Sequence, residues 1–336
     1  MHDVEQNSYT LKSLGDAIIL RNHIINMLEQ ADLEHDIVDL RKGLMTFVVV
    51  GGGFSGVETV GELNDFVRDS IKEFYHNIEE NKEDVRIILV NSQNKILPVV
   101  NEDLAEFALQ KLRQNGVEIM LNTRVSGATS KSVKLNDGTI IPTYTLIWTG
   151  GVMPDRLITE LPCDHYDKDG RISVDNFLVV PNHLNVFAIG DCAYIIDPHT
   201  GKPYPPTAQH AVREGKTAAK NLISLINSSK MDKKGEKGKK SNMKMMTPFD
   251  YKTKGIMAVI GKRNGVGILF GYKVHGFVAW WIWRSYYLSN LPTVQKKLRV
   301  MVDWSIDLFF KRDITRIRTF TEEKHFLMKQ VLKRLY

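Results

Sequence analysis

The chain has 336 residues, of which 43% are apolar and 25% charged, with a formal net charge of +6; this is long enough for two domains. Seven lysines between Lys230 and Lys244, against Asp232 and Glu236, hold nearly all of the excess charge, which excludes a folded nucleic-acid-binding body. Cys163 and Cys192 are the two cysteines, so a disulfide framework and a cysteine metal site are excluded, and no apolar run reaches the ~20 residues that span a bilayer.

Residues 1–12 are polar and predict irregular chain. A helix is predicted over 13–42, where Ser13 can cap and Leu14, Ala17, Ile18, Ile24, Ile25 and Leu28 recur at helical spacing. A β-branched strand over 46–50 runs straight into Gly51-x-Gly53-x-x-Gly56. Val57, Val60, Leu63, Val67, Ile71 and Phe74 then predict an amphipathic helix to about Tyr75. Strand, glycines and helix in that order form the layout of a dinucleotide-binding turn. Gly51 makes the tight turn, Gly53 lets a pyrophosphate approach the backbone, and Gly56 lets the helix lie close to the strand. The helix start, at Phe54 and Ser55, offers N–H groups to the phosphates. The competing reading is a glycine-rich turn that binds nothing.

Val85–Val90 predicts a second strand, buried on both faces. Asn101 is placed to cap a helix with Leu104, Phe107, Ala108 and Leu112 on one face, and Gly116 to end it. Val117–Leu121 predicts a short strand, Val133–Ile141 a hairpin around Asn136-Asp137-Gly138, and Thr145–Thr149 a strand ending on Gly150-Gly151. This order predicts a nucleotide-binding module over 46–151. Asn185–Asp191 predicts another short strand closing on Gly190-Asp191, and Thr207 to about Ile226 a helix. Residues 228–247 read as a lysine-rich, disordered linker. Small strands are predicted over 248–273. An aromatic segment with Trp280, Trp281 and Trp283 follows over 274–290, and a second amphipathic helix over 293–312, flanked by Lys296, Lys297, Arg299, Lys311 and Arg312.

Four stretches carry a family resemblance: Phe47–Glu58, Leu146-Ile-Trp-Thr-Gly-Gly-Val152, Val186-Phe-Ala-Ile-Gly-Asp-Cys192 and Pro205-Pro-Thr-Ala-Gln-His-Ala211. Together with the aromatic C-terminal helices they resemble the two-dinucleotide-fold flavoproteins and, within them, type II NADH dehydrogenase. The likeness runs from about Leu11 to the region of Arg318. It implies an α/β fold: a Rossmann-like dinucleotide-binding domain over 46–151 after a connecting helical segment (1–45), and the returning part of an FAD-binding domain (152–227). Beyond the linker comes an amphipathic helical region that meets a membrane or a second copy (248–336).

The resemblance also places residues. Gly51, Gly53 and Gly56, with Phe54 and Ser55, would hold the NADH pyrophosphate. Glu58 would sit near the nicotinamide, the alternative being an acid that complements the helix dipole. Thr149, Gly150 and Gly151 would form the crossover where both nucleotides lie close. Gly190 and Asp191 would bond the ribityl chain of FAD. Ala208 and Gln209 would form the quinone side of the flavin, the alternative for Gln209 being a surface helix position. The implied activity is FAD-dependent transfer of a hydride from NADH to flavin and of electrons on to a quinone. FAD and NADH are the cofactors, with no metal and no nucleic acid. Contact is implied with a membrane surface, peripherally on its cytoplasmic side, or with a second subunit in a homodimer. The isolated cysteines count against disulfide-reductase chemistry.

Three departures qualify this. The family begins with an FAD-binding strand-turn-helix carrying its own Gly-x-Gly-x-x-Gly, and this sequence has none. The expectation is therefore that the first half of the flavin domain is absent and that the isolated chain binds FAD poorly. The alternative function is a non-enzymatic NADH-binding fragment or subunit that needs a partner. Asn91 stands where the family usually places an acid that bonds the ribose and rejects NADPH, which leaves NADPH open beside NADH. Arg213 stands where the quinone segment often has a second glutamine.

Overall fold

A computed structural model describes residues 2–34, 36–78, 85–151, 154–166, 168–232, 246–253, 255–261, 263–310 and 313–317. The chain divides into two compact units, Met1–Gly150 with Lys254–Tyr336, and Gly151–Thr253.

The first unit begins with helices α1 (His2–Gln6), α2 (Leu14–Leu33) and α3 (Val38–Leu44). Strand β1 (Thr46–Val50) and helix α4 (Phe54–Phe74) follow, then β2 (Arg86–Val90), α5 (Glu102–Gln114) and β3 (Val117–Met120). An antiparallel sheet of β4 (Val125–Thr129), β5 (Ser132–Leu135) and β6 (Ile140–Pro142) leads to β7 (Thr145–Trp148). The main sheet has the order β3-β2-β1-β7 and is parallel throughout, with Val48 level with Ile88 and Leu146. Successive strand residues point to opposite faces. Phe47, Val49, Ile87, Leu89 and Ile147 pack with Leu28 of α2, Val60 and Val67 of α4, and Leu112 of α5. Val48, Val50, Ile88, Val90 and Leu146 pack with Val125, Val133, Leu135 and Ile141 of the small sheet and with Val4 of α1. Both faces are covered, which is why these strands read as unbroken apolar runs.

The same unit takes in β12 (Gly255–Val259), β13 (Gly265–Leu269) and β14 (Tyr272–His275), an antiparallel sheet whose Ala258, Ile260 and Val266 join the core beside α4. Two further helices follow, α8 (Gly276–Asn290) and α9 (Val294–Phe309). Arg284 stacks between Trp280 and Trp304, at 4.7 and 4.1 Å, and so joins the two. Ala279 is the buried residue of α8, while Phe277, Trp281, Tyr286, Leu298, Met301 and Ile306 are exposed.

Residues 313–317 return to α2. Arg21 donates to the carbonyls of Asp313 and Thr315, each at 2.6 Å. Asn22, 2% exposed, donates to Ile317 O at 2.6 Å and accepts from Ile317 N at 3.1 Å, as a neighbouring strand would. Asn22→Ala leaves both backbone groups unpaired. It is expected to cost roughly 2 kcal/mol and to speed limited proteolysis at 313–317.

Several elements depart from the sequence-based reading. Residues 1–12 are not irregular: α1 forms, and Tyr9 pairs with Ile147 at the free edge of β7. Tyr9 stacks on His23 at 4.4 Å, and His23 Nε2 reaches Tyr144 O and Thr145 Oγ1. Burial holds this imidazole neutral, with its pKa lowered to about 4. The predicted helix 13–42 breaks after Leu33, because the Glu34 carboxylate accepts the N–H groups of Asp36 and Ile37 and so competes with the helix. Asn101 stands at the start of α5, but its side chain makes no capping bond. Strand β4 is short of apolar residues and carries an irregularity between Val125 and Gly127, so alternation does not reveal it.

In the second unit lie α6 (Arg156–Thr159), β8 (Ile172–Ser173), β9 (Val179–Val180), β10 (His183–Phe187), a 3₁₀ turn over Gly190–Cys192, β11 (Ala193–Tyr194) and α7 (Ala208–Asp232). Ile172, Leu178, Val180, Ala193, Ala218 and Phe249 form its core. The predicted strand to Asp191 stops at Phe187, since Gly190 turns the chain with φ +68. Helix α7 continues through 228–232, where a linker was predicted; the rest of that lysine run, at 233–245, lies outside the described residues, as do Val152, Lys311, Arg312 and Arg318.

Candidate functional site

The glycine turn is built by its neighbours. β1 ends on Val50, and Gly51 leaves it with φ +117, where an L side chain is strained. Gly51 N–H donates to Val90 O at 2.9 Å, while Thr149 N–H and Oγ1 both donate to Val50 O. Thr149 thus fastens the turn to the end of β7. A Cβ on Gly56 would lie 1.7 Å from Gly51 O, so only glycine lets α4 start this close to the strand. Gly53 differs: a Cβ there would meet nothing within 4 Å. Gly53 is also the residue before α4 and has no side chain to cap it, so the N–H groups of Phe54, Ser55 and Gly56 remain open at the positive end of the helix dipole. Open space over an uncapped helix start suits an anion such as a pyrophosphate.

Glu58 lies in the first turns of α4. Its Oε1 accepts the Val259 N–H at 3.1 Å, which ties the nucleotide-side helix to β12. Burial raises the carboxyl pKa, with the Val259 bond opposing it. Nearby Tyr287, on α8, is raised by burial and by the Glu58 charge. The contact between α4 and the C-terminal sheet is made by glycines, since a Cβ on Gly61 would lie 2.7 Å from the Ile260 carbonyl carbon.

Asn91 is 7% exposed, and its amide works inside the protein. Oδ1 accepts Gly52 N–H at 3.1 Å, and Nδ2 donates to Gln93 O and Lys95 O. Both amide hydrogens are engaged in holding the loop against the glycine turn. Asn91 thus supports the turn from inside, and Oδ1 is the side-chain atom that keeps acceptor capacity.

In the second unit, Gly190 and Asp191 form the 3₁₀ turn, and Asp191 is exposed. Gly190 N–H donates to Glu214 Oε2 at 2.6 Å. Glu214 is 3% exposed, and burial raises its pKa, with the Asp191 charge adding to the effect. Asp191 lines a pocket with Pro154, Asp169, Arg171 and Pro206. Arg171 is paired to Asp169 at 2.8 Å and lies over the Tyr194 ring at 5.1 Å. Ala208 opens α7, and Gln209 follows with its Oε1 accepting from Tyr251 Oη. The structure thus brings Gly51, Gly53, Phe54, Ser55, Gly56, Glu58, Asn91, Thr149 and Gly150 into the first unit, and Gly151, Gly190, Asp191, Ala208 and Gln209 into the second. Sequence reasoning missed Glu214, Arg171 and Tyr251. Glu214 was within reach, because His210, Glu214, Ala218 and Asn221 recur at helical spacing on the buried side of α7.

Comparison with known proteins decides the family. The model for pyridine nucleotide-disulphide oxidoreductases matches residues 18–215, more than half of the chain. The chain belongs to the pyridine nucleotide-disulphide oxidoreductase family. The model for the NDH2 C-terminal domain matches residues 253–313. The chain is 33% identical over 314 residues to a probable NADH dehydrogenase of Dictyostelium discoideum, covering 93% of this chain and 65% of that protein. It is 30% identical to the type II NADH:quinone oxidoreductase Ndh of Mycobacterium tuberculosis, covering 90% of this chain and 62% of that one. The chain therefore spans less than two thirds of the length of these relatives. Its fold matches NDH2 from Plasmodium falciparum, solved with NADH, at a TM-score of 0.80 and 20% identity, over 93% of this chain and 75% of that one.

Proposed function

We propose that this chain carries the NADH-handling and quinone-facing parts of a type II NADH:quinone oxidoreductase, which passes a hydride from NADH to FAD and electrons on to a quinone. The observation that carries this reading is the open space over Gly53 at an uncapped helix start, fixed by Gly51, Gly56 and Thr149. There the N–H groups of Phe54, Ser55 and Gly56 receive the NADH pyrophosphate. Asn91 holds the loop but presents no carboxylate to repel a 2′-phosphate, so NADPH is accepted beside NADH. The Asp191 carboxylate, exposed on a turn that Glu214 holds, fits the hydroxyls of a ribityl chain. FAD, when bound, supplies the hydride-accepting and electron-passing chemistry. Gln209, with Ala208, faces the quinone.

The C-terminal helices make this a surface enzyme. Phe277, Trp281, Tyr286, Leu298 and Met301 are exposed, with Lys296, Lys297 and Arg299 alongside, a mixture suited to the interface plane of a bilayer. Among the described residues no helix is long and apolar enough to cross a membrane. The same face would serve a homodimer.

One observation favours the second reading, a nucleotide-binding subunit whose second unit is covered by a partner. Val186 and Ile189, beside Asp191, are exposed together with Val212, Leu222, Ile223 and Ile226 of α7. Apolar residues this numerous on one small unit suit a covering partner.

The test is flavin content and NADH oxidation, with and without menadione and lipid, on the purified chain. Stoichiometric flavin with quinone-dependent turnover favours the first reading; NADH binding without flavin favours the second. Gly53→Ala is expected to leave the melting temperature unchanged and to weaken NADH binding about ten-fold, because its methyl group enters the pyrophosphate space. Unchanged binding would remove the glycine turn from the site.

A further inference from the structure

Gln209 is the second residue of α7, and it is held from two sides. Tyr251 Oη donates to Gln209 Oε1 at 3.3 Å. Arg213, one turn along, donates from Nη1 to the Gln209 carbonyl at 2.6 Å and lays its guanidinium 4.2 Å over the Tyr251 ring. Tyr251 is itself fixed. Its N–H donates to Tyr204 Oη at 3.2 Å, and its ring meets the His210 imidazole edge-on at 5.4 Å. His210, 1% exposed, is bonded to the hydroxyls of Thr207 and Thr253.

A glutamine amide has one acceptor end and one donor end. A phenol hydroxyl could face either end. The guanidinium over the ring draws electron density toward itself, so the Tyr251 hydroxyl becomes a better donor and a poorer acceptor. That favours the observed orientation, with Oε1 toward Tyr251. The two Nε2 hydrogens then have no partner among the described residues, and Gln209, Arg213 and Tyr251 are all partly exposed. The donors that Gln209 offers outward are therefore its two Nε2 hydrogens.

We propose that Tyr251 and Arg213 are positioning residues that turn the Nε2 donors of Gln209 toward the carbonyl oxygen of a quinone. This rests on the quinone reading above and deepens it. A quinone presents carbonyl oxygens, which accept from these hydrogens. Arg213 takes the place of a second neutral donor and supplies the charge that sets the amide orientation.

The experiment uses the full chain and menadione as the probe. Isothermal titration should show menadione binding about five-fold more weakly to Tyr251→Phe, the loss of one oriented hydrogen bond. Arg213→Gln should weaken it similarly, with Arg213→Lys in between, since lysine keeps the charge without the planar stack. NADH affinity, set in the other unit, should not move. Menadione binding unchanged in both Tyr251→Phe and Arg213→Gln would overturn the inference. A second readout does not need quinone: with ¹⁵N-glutamine labelling, the side-chain amide pair missing from Gln209→Ala identifies Gln209. Its signals should be sharp in the unmodified chain and broadened in Tyr251→Phe. If the unmodified chain binds NADH but no menadione, the quinone reading fails. A Gln209 signal that Tyr251→Phe leaves unchanged overturns the positioning roles in either case.

Discussion

Gly56→Ala should abolish NADH binding and destabilise the first unit by roughly 4 kcal/mol. The added methyl carbon would fall 1.7 Å from Gly51 O and 2.7 Å from Thr149 Oγ1, both far inside contact distance. Relaxation is blocked on each side. Gly51 N–H is bonded to Val90 O and Thr149 N–H to Val50 O, so the carbonyl of Gly51 cannot swing away without breaking the end of the parallel sheet. The start of α4 must then move instead, and its N–H groups leave the phosphate position. Thermal unfolding and NADH fluorescence titration read the two effects together. A variant that melts and binds like the parent would mean that the close approach of α4 to β1 is dispensable. Gly53→Ala, in open space three residues earlier, is the control, since it touches the ligand position without touching the fold.

The legible part of this protein is the part where local pattern and tertiary role coincide. Phe47–Val50, Ile87–Val90 and Leu146–Trp148 are apolar at every position because the sheet is covered on both faces, so composition alone marks them as buried strands. The glycine turn announces itself because three distinct steric demands fall at fixed spacing. Other features depend on partners distant in sequence. Asn91 stands at a strand end, and its amide bonds Gly52, Gln93 and Lys95, which no local signal reports. Glu34 breaks a helix that hydrophobic periodicity would continue, since periodicity does not weigh a side chain competing for backbone N–H groups. The aromatic C-terminal region reads as a separate block by composition, yet β12 packs against α4 through Gly61 and Glu58, and 313–317 returns to α2. Such contacts, between residues some 200 to 300 positions apart, leave no mark on periodicity.

Glu58 carries the second large effect, because its two substitutions should act with opposite signs. Glu58→Ala removes the acceptor of the Val259 N–H and leaves a gap between α4 and β12; it should cost roughly 3 kcal/mol. Glu58→Gln keeps an oxygen for Val259 and should stabilise the protein increasingly as pH rises. The sign follows from proton counts. Burial raises the Glu58 carboxyl above its ordinary value of 4.5, so the folded state keeps a proton that the unfolded chain releases. Where the folded state binds more protons, stability falls with rising pH, and the loss is complete only above the folded pKa. Glutamine has no such proton to lose, so the two proteins should melt alike near pH 4 and diverge above 4.5. His23 works the other way: held neutral with a pKa near 4, it loses stability as pH falls below 6.5. It is common to both proteins and cancels in the difference, as does Glu214. If the carboxyl also serves the nicotinamide, Glu58→Gln should lower NADH oxidation about ten-fold or more while raising the melting temperature at pH 8. A rise in stability with activity intact would assign Glu58 to the α4–β12 contact alone, and an unchanged pH profile would refute its buried titration.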